Sequence, residues 1–204
     1  MLVCQEYGLL PANSFGFIPG GSCEWPIECF ASVQRHARQE DNAEFMFLLD
    51  ATSAYDTVSH RGISMACKSF AVPTDVESRL LAHVGGHSRV VNTAYGLGEE
   101  VTKITLEGGL AQGANSSPTL FIFTTAPAHR YADENLPGYF MPSGHSQPSV
   151  STSQPYRAGL LNYADDDAGL NGREATTKVE VEHILNEINF AAEALTISLA
   201  VVGV

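Results

Sequence analysis

The stretch LLNYADDDAGLNG, residues 160–172, sets Asp165, Asp166 and Asp167 side by side at the end of an apolar run. Leu160, Leu161 and Tyr163 lead into the acids, and Gly169 and Gly172 punctuate the residues after them. Adjacent carboxylates repel, and burial raises their pKa unless a cation offsets the charge. Such a triplet is therefore either a solvated turn or a place built to hold metal, and taken alone the solvated turn is the commoner solution. A second acid changes the balance. Residues 44–50, EFMFLLD, are a short apolar run ending in Asp50, the pattern of a buried strand with a carboxylate at its C-terminal end. If that strand neighbours the one leading to Asp165, their ends converge and three carboxylates share a few ångströms. Hard divalent cations with oxygen ligands suit such a cluster. Two of them can activate an attacking hydroxyl and stabilise a leaving pyrophosphate.

The chain has 204 residues, 44% of them hydrophobic and 17% charged, which is ordinary globular material long enough to bury a core. No run approaches the eighteen or so apolar residues of a membrane span, so no membrane partner is expected. The opening MLVCQEYGLLPANSFGF has neither a basic n-region nor a small-residue cleavage site, so it does not read as a signal peptide. Cys4, Cys23, Cys29 and Cys67 form no CxxC pair, and reduced thiols of an intracellular protein, nuclear or cytoplasmic, are expected. His83 and His87 in HVGGH have the i, i+4 spacing of a zinc helix. Two glycines between them weaken any helix there, and no third ligand has suitable spacing. The net charge of −12 argues against a nucleic-acid surface, because phosphate binding draws on clustered Lys and Arg.

Periodicity supplies the remaining elements. PTDVESRLLAHV (73–84) has Thr74 and Glu77 at capping-box spacing before a helical apolar pattern. RVVNTAYGLGEEVTKITLEGG (89–109) reads as two strands around a GLG turn. Ser116, Ser117 and Pro118 open a further helix. Residues 137–155 read as one long loop rich in Pro, Ser and Gly. In EATTKVEVEHILNEINFAAEAL (174–195), Ile184, Ile188, Ala191 and Leu195 share one helical face, and TISLAVVGV (196–204) reads as the start of a strand. Interleaved strands and helices predict an α/β or α+β sandwich around one sheet.

In this order of segments the chain resembles the reverse transcriptase family, and within it the non-LTR retrotransposon and group II intron branches. FGFIPGGS (15–22) is similar to the family's fingers-to-palm segment, LLDATSAYD (48–56) to motif A, GGLAQGANSSP (108–118) to motif B, and YADD (163–166) to the motif C box. The resemblance implies an α+β fold, a polymerase palm-type antiparallel sheet packed on helices, with a partial fingers region and no thumb. Residues 1–43 would be the fingers remnant and 44–204 the palm. It implies RNA-directed DNA polymerase activity on an RNA template and DNA primer, adding deoxynucleotides from their triphosphates. Asp50 and Asp165 would be ligands of two Mg²⁺ or Mn²⁺ ions, Asp166 would complete the acidic cluster, and the Ala51 carbonyl would touch a metal. Tyr55 matches the family's bulky gate against a ribose 2′-hydroxyl. Gln112 and Gly113 match the loop that meets incoming nucleotide and template, while Ser117 and Pro118 read as the start of a helix rather than as chemistry. RNA-templated RNA polymerases share the palm and metals but usually carry Gly-Asp-Asp, so YADD, Tyr55 and AQG favour the DNA-making branch.

The sequence also departs from the family pattern. No Lys or Arg precedes Phe15, and Ile18 and Gly21 stand where many relatives carry Arg. Motif B has Ala114 and Asn115 where Ser or Asp and Pro are frequent. Asp167 and Gly169 are expected to interrupt the apolar return strand after motif C. Val201 and Val202 stand near the usual Lys of the next motif, and no thumb, ribonuclease H or endonuclease segment is expected. These departures, with the acidic balance, predict a retroelement palm fragment that binds nucleic acid weakly by itself. The competing expectation is a decayed or co-opted palm that no longer catalyses.

Overall fold

The computed structural model describes residues 10–11, 13–85, 88–89, 104–105, 108–142 and 156–204. Its helices are α1 (Glu24–Gln39), α2 (Ala54–Thr57), α3 (His60–Ser69), α4 (Thr74–Gly85), α5 (Ser117–Asn135) and α6 (Lys178–Val202). Its strands are β1 (Ala43–Asp50), β2 (Ser88–Arg89), β3 (Ile104–Thr105), β4 (Tyr139–Met141), β5 (Tyr156–Ala158), β6 (Leu160–Tyr163) and β7 (Asp166–Arg173). The sheet that positions the acids is antiparallel, in the order β1-β7-β6. Residues 13–15 run along the free edge of β6. There Phe15 N donates to Asn162 O at 2.9 Å, Asn162 N donates to Asn13 O at 3.0 Å, and Ser14 and Asn162 form a parallel bridge. This is the α+β, palm-type arrangement that the resemblance implies.

Alternation along β1 decides which face packs where. Phe47 and Leu49 pack with Ala128 and Ala132 of α5 and Ala191, Leu195 and Leu199 of α6. Met46, Leu48 and Asp50 stay exposed on the opposite face. On that side α1 buries Cys29, Val33 and Ala37 with Leu161, Leu170 and Tyr139, the i, i+4, i+8 stripe of an amphipathic helix. A further core joins Val58, Ile63 and Cys67 to Leu110, Leu120 and Phe121, seating α3 against α5.

Four local expectations change. β7 runs without a break through Asp167 and Gly169. Gly169 pairs with Phe47, and a Cβ there would lie 1.9 Å from the Phe47 ring, so the glycine provides the slot that the ring fills. The segment 196–202 is helix, not strand. Thr196 and Ser198 turn their hydroxyls back onto the carbonyls of Ala192 and Ala194, at 2.8 Å each. Leu195 and Leu199 continue the buried stripe until Gly203, at φ 87, ends the helix. The start of α6 is a capping box between Thr177 and Glu180. At the start of the expected 137–155 loop β4 forms and pairs with β5 just beyond the loop's end, while residues 143–155 lie outside the described residues. At α4, Glu77 accepts from Ser64 of α3, while the first turn's Val76 and Glu77 amides are met by the Pro73 carbonyl.

Over Lys178–Val201, α6 is long and apolar enough to cross a membrane by length and composition, a property that a count of consecutive apolar residues passes over. β2 and β3 pair antiparallel as the 89–109 pattern suggests. The GLG turn between them, His87 and Cys4 lie outside the described residues. Cys23 and Cys67 are free thiols, and Cys29 is buried in the core beneath α1.

Candidate active site

The register of the sheet brings the acids together. β1 and β7 pair from Ala43–Arg173 to Asp50–Asp166, so Asp50 ends one strand directly opposite the first residue of the other. Tyr163 pairs with Asp166 across a two-residue hairpin, leaving Ala164 and Asp165 as the turn. Ala164 sits at φ 61, the left-handed backbone that the first residue of a tight hairpin needs. The Ala51 amide donates to the Asp165 carbonyl at 3.4 Å, extending the pairing one step past Asp50. Gly16 lies against the same turn, where a Cβ would come within 2.2 Å of Ala164 N, so the FGF segment reaches the hairpin only because residue 16 is glycine.

The electrostatics follow from this crowding. Desolvation pushes the Asp166 carboxyl above the usual range, and Asp165, Asp50 and Asp167 push it the same way. Every charged group bearing on Asp166 is therefore an acid. Burial, then the Asp165 charge, likewise raises the Tyr55 hydroxyl. Among the described residues, no three or more His, Cys, Asp and Glu side chains are gathered closely enough to hold a metal ion. Asp50, Asp165 and Asp166 thus share a strand end and a turn without closing on one point. Their oxygen donors and uncompensated repulsion fit a hard divalent cation.

Cavities open on both sides of the acids. One of about 300 Å³ is lined by Asp50, Thr52, Asp165 and Thr196. The other, about 530 Å³, lies on the open face of the sheet, where Ile27, Phe30 and Leu48 lead to Asp50 and Asp166.

The residues after Asp50 form the neighbouring wall. Ser53, at φ 54, turns the chain into α2, and the Tyr55 ring stacks on Phe121 of α5 with centroids 5.2 Å apart. The 108–116 loop is stapled behind it. Leu110 N donates to Tyr55 O and Gly109 N to Val58 O, each at 2.7 Å. Gln112 Nε2 donates to Asp56 Oδ2 at 3.5 Å. Gly113 has φ 84 and open space where a Cβ would stand, so backbone there can approach a ligand. Ser117 Oγ donates to the Ala111 carbonyl at 2.6 Å and closes the loop onto α5, where Pro118 occupies the first turn. The structure therefore gathers Asp50, Asp165, Asp166 and Tyr55, and places Gln112 and Gly113 on the loop docked against Tyr55 and Asp56.

Sequence reasoning passes over His129 and Asn162 behind the turn, and takes Asp167 only as one of the triplet and a break in the return strand. Asp167 is buried, its Oδ2 3.1 Å from Nε2 of His129 and its Oδ1 accepting from Asn162 Nδ2 at 2.8 Å. The period-two alternation carried the signal. If Asp166 faces out, Asp167 faces in and needs a buried partner.

An acidic hairpin on a three-stranded antiparallel sheet, backed by helices, is consistent with a polymerase palm-type fold. The sequence matches the family described as reverse transcriptase (RNA-dependent DNA polymerase) over residues 2–198, and the chain belongs to that family of RNA-directed DNA polymerases. Its members use divalent metals and bind nucleic-acid template, primer and deoxynucleoside triphosphates. A separate likeness is local. Over 72 residues the chain is 36% identical to a mitochondrial succinate dehydrogenase (ubiquinone) flavoprotein of Xenopus laevis, covering 35% of this chain and 11% of that protein.

Proposed function

We propose that this chain is the palm of a retroelement's RNA-directed DNA polymerase, of the non-LTR or group II intron type, acting inside the cell on an RNA template and DNA primer. One observation carries the proposal: the β1–β7 register places Asp50 opposite Asp166 with Asp165 in the adjoining turn. Asp50, Asp165 and Asp166 would hold two Mg²⁺ or Mn²⁺ ions, with the Ala51 carbonyl beside them. Those ions would supply charge stabilisation at the attacking primer 3′-hydroxyl and the leaving pyrophosphate. The chain's own residues do the positioning. Tyr55, braced by Phe121, fills the space a ribose 2′-hydroxyl needs. Gly113 leaves its backbone open to the nucleotide, and Gln112 stands beside it.

Titration calorimetry with Mg²⁺ tests the reading, with and without a deoxynucleoside triphosphate. Wild type should bind weakly alone and more tightly with the nucleotide, because substrate phosphates complete such sites. An Asp50→Asn, Asp165→Asn double variant should lose both phases, and isotherms identical to wild type would refute the assignment.

A second reading, a palm that no longer catalyses, is favoured by the charge. Arg79, Arg130, Arg157, Arg173 and Lys178 are all paired with acids of the chain itself. Duplex binding draws on such cations, so a gel shift on a primed RNA template at low salt reports the binding deficit, and primer extension by a completed chain separates the readings. Fusion to fingers and thumb from a relative should restore binding and primer extension under the first reading, and binding alone under the second.

A further inference from the structure

We propose that His129, Asp167 and Asn162 form a positioning network that sets the conformation of the Ala164–Asp165 turn, and through it how tightly Asp50 and Asp165 hold a divalent cation. The cation half of this proposal rests on the two-metal reading above.

The network starts from the face that Asp167 occupies. In the sheet Asp167 lies between Leu49 and Asn162, on the buried side, while its neighbour Asp166 is exposed on the other. An apolar side chain would pack beside Leu49 without the desolvation that a buried carboxylate carries. The carboxylate is instead held at both oxygens, by His129 Nε2 at 3.1 Å and by Asn162 Nδ2 at 2.8 Å. His129 Nε2 and Asp167 Oδ2 share one hydrogen bond, with the ring nitrogen as donor in the tautomer that carries its proton on Nε2. His129 is itself buried on α5, the helix that the Gln112–Gly113 loop leads into.

Asn162 carries the connection to the turn. The second hydrogen of its amide goes to the Ala164 carbonyl, at 3.1 Å. Its backbone N–H and C=O are taken by Asn13 and Phe15, so it cannot shift without moving the edge segment. The chain is thus tied from α5 through Asp167 and Asn162 to the carbonyl of Ala164, a non-glycine residue at φ 61. A left-handed backbone at such a residue persists where its surroundings over-determine it. Asp165 is the next residue, and its carbonyl receives the Ala51 amide that follows Asp50. The network therefore acts on the spacing between the hairpin and the end of β1. It leaves the outward-facing oxygens of Asp166 untouched.

The test compares His129→Gln, His129→Leu and the paired replacement His129→Leu, Asp167→Leu with wild type. The pair removes the buried carboxylate together with its histidine partner, so it should cost less stability than His129→Leu alone, which leaves the carboxylate short of a partner. Two readouts are taken: Mn²⁺ affinity from electron paramagnetic resonance of the free ion, and hydrogen exchange of the 164–166 amides. The leucine variants should bind Mn²⁺ about 10–100-fold more weakly, as when groups behind metal ligands are removed. They should also exchange faster at 164–166 while the β1–β7 ladder near Phe45 stays protected. His129→Gln, which can donate to the same carboxylate, should recover both signals. Folded leucine variants with wild-type exchange at 164–166 would overturn the proposal. So would faster turn exchange with unchanged Mn²⁺ affinity. A wild type that binds no Mn²⁺ would overturn the two-metal reading, with turn exchange still deciding the positioning role.

Discussion

Replacing Gly169 with alanine should destabilise the chain through one identifiable clash. The Cβ would stand 1.9 Å from one carbon of the Phe47 ring and 2.1 Å from another. Phe47 cannot simply swing aside, since it packs against the core that α5 and α6 share with the sheet. Forcing an extra methyl into a packed site costs about 1–3 kcal/mol. Removing a glycine from a strand returns about 0.5–1 kcal/mol of that. The net is a loss of up to roughly 2.5 kcal/mol, and at about 2–4 °C per kcal/mol for a chain of this size the Tm should fall by up to about 10 °C. A double-mutant cycle supplies the decisive measurement. In a Phe47→Leu background the methyl meets a shorter side chain, so Gly169→Ala should cost little there. The two changes should therefore be non-additive by about 1 kcal/mol or more, a coupling typical of residues in contact. Additive costs in thermal unfolding would refute the slot.

Two further outcomes are expected. Tyr55→Ala, in a version completed with fingers and thumb, should raise ribonucleotide relative to deoxyribonucleotide incorporation by about tenfold or more, equal to ~1.4 kcal/mol of lost discrimination. Tyr55→Phe should not, and an unchanged ratio for Tyr55→Ala would return Tyr55 to a purely packing role beside Phe121. Glu187 is held below the usual carboxylate range chiefly by its hydrogen bond from Arg173, with Asn171 adding to it. Its stabilisation is therefore complete above the ordinary carboxylate pKa and is lost as pH falls through the lowered folded value. Glu187→Gln should lower Tm at pH 7, with the difference from wild type closing under acid. A difference that persists at the acid end would contradict the ion pair.

What the sequence determined by itself is what depends on near neighbours. The apolar run ending in Asp50, the tight turn of YADD and the proline-started helix at Ser117 are local patterns, and their periods show in a single segment. The ordered motifs extend the same legibility to the family. Tertiary structure decided the rest, because the deciding partner lies far along the chain. The segment 196–202 is rich in residues that suit a strand, and local propensity is a weak prior. It becomes helix because Leu195 and Leu199 are buried against the core that α5 shares with the sheet. Gly169 looks like a strand breaker until Phe47, from another strand, is laid over it. Asp167 looks like one more acid of a solvated triplet. Only the pairing of β7 between β1 and β6 turns it inward, and only the packing of α5 brings His129 to meet it.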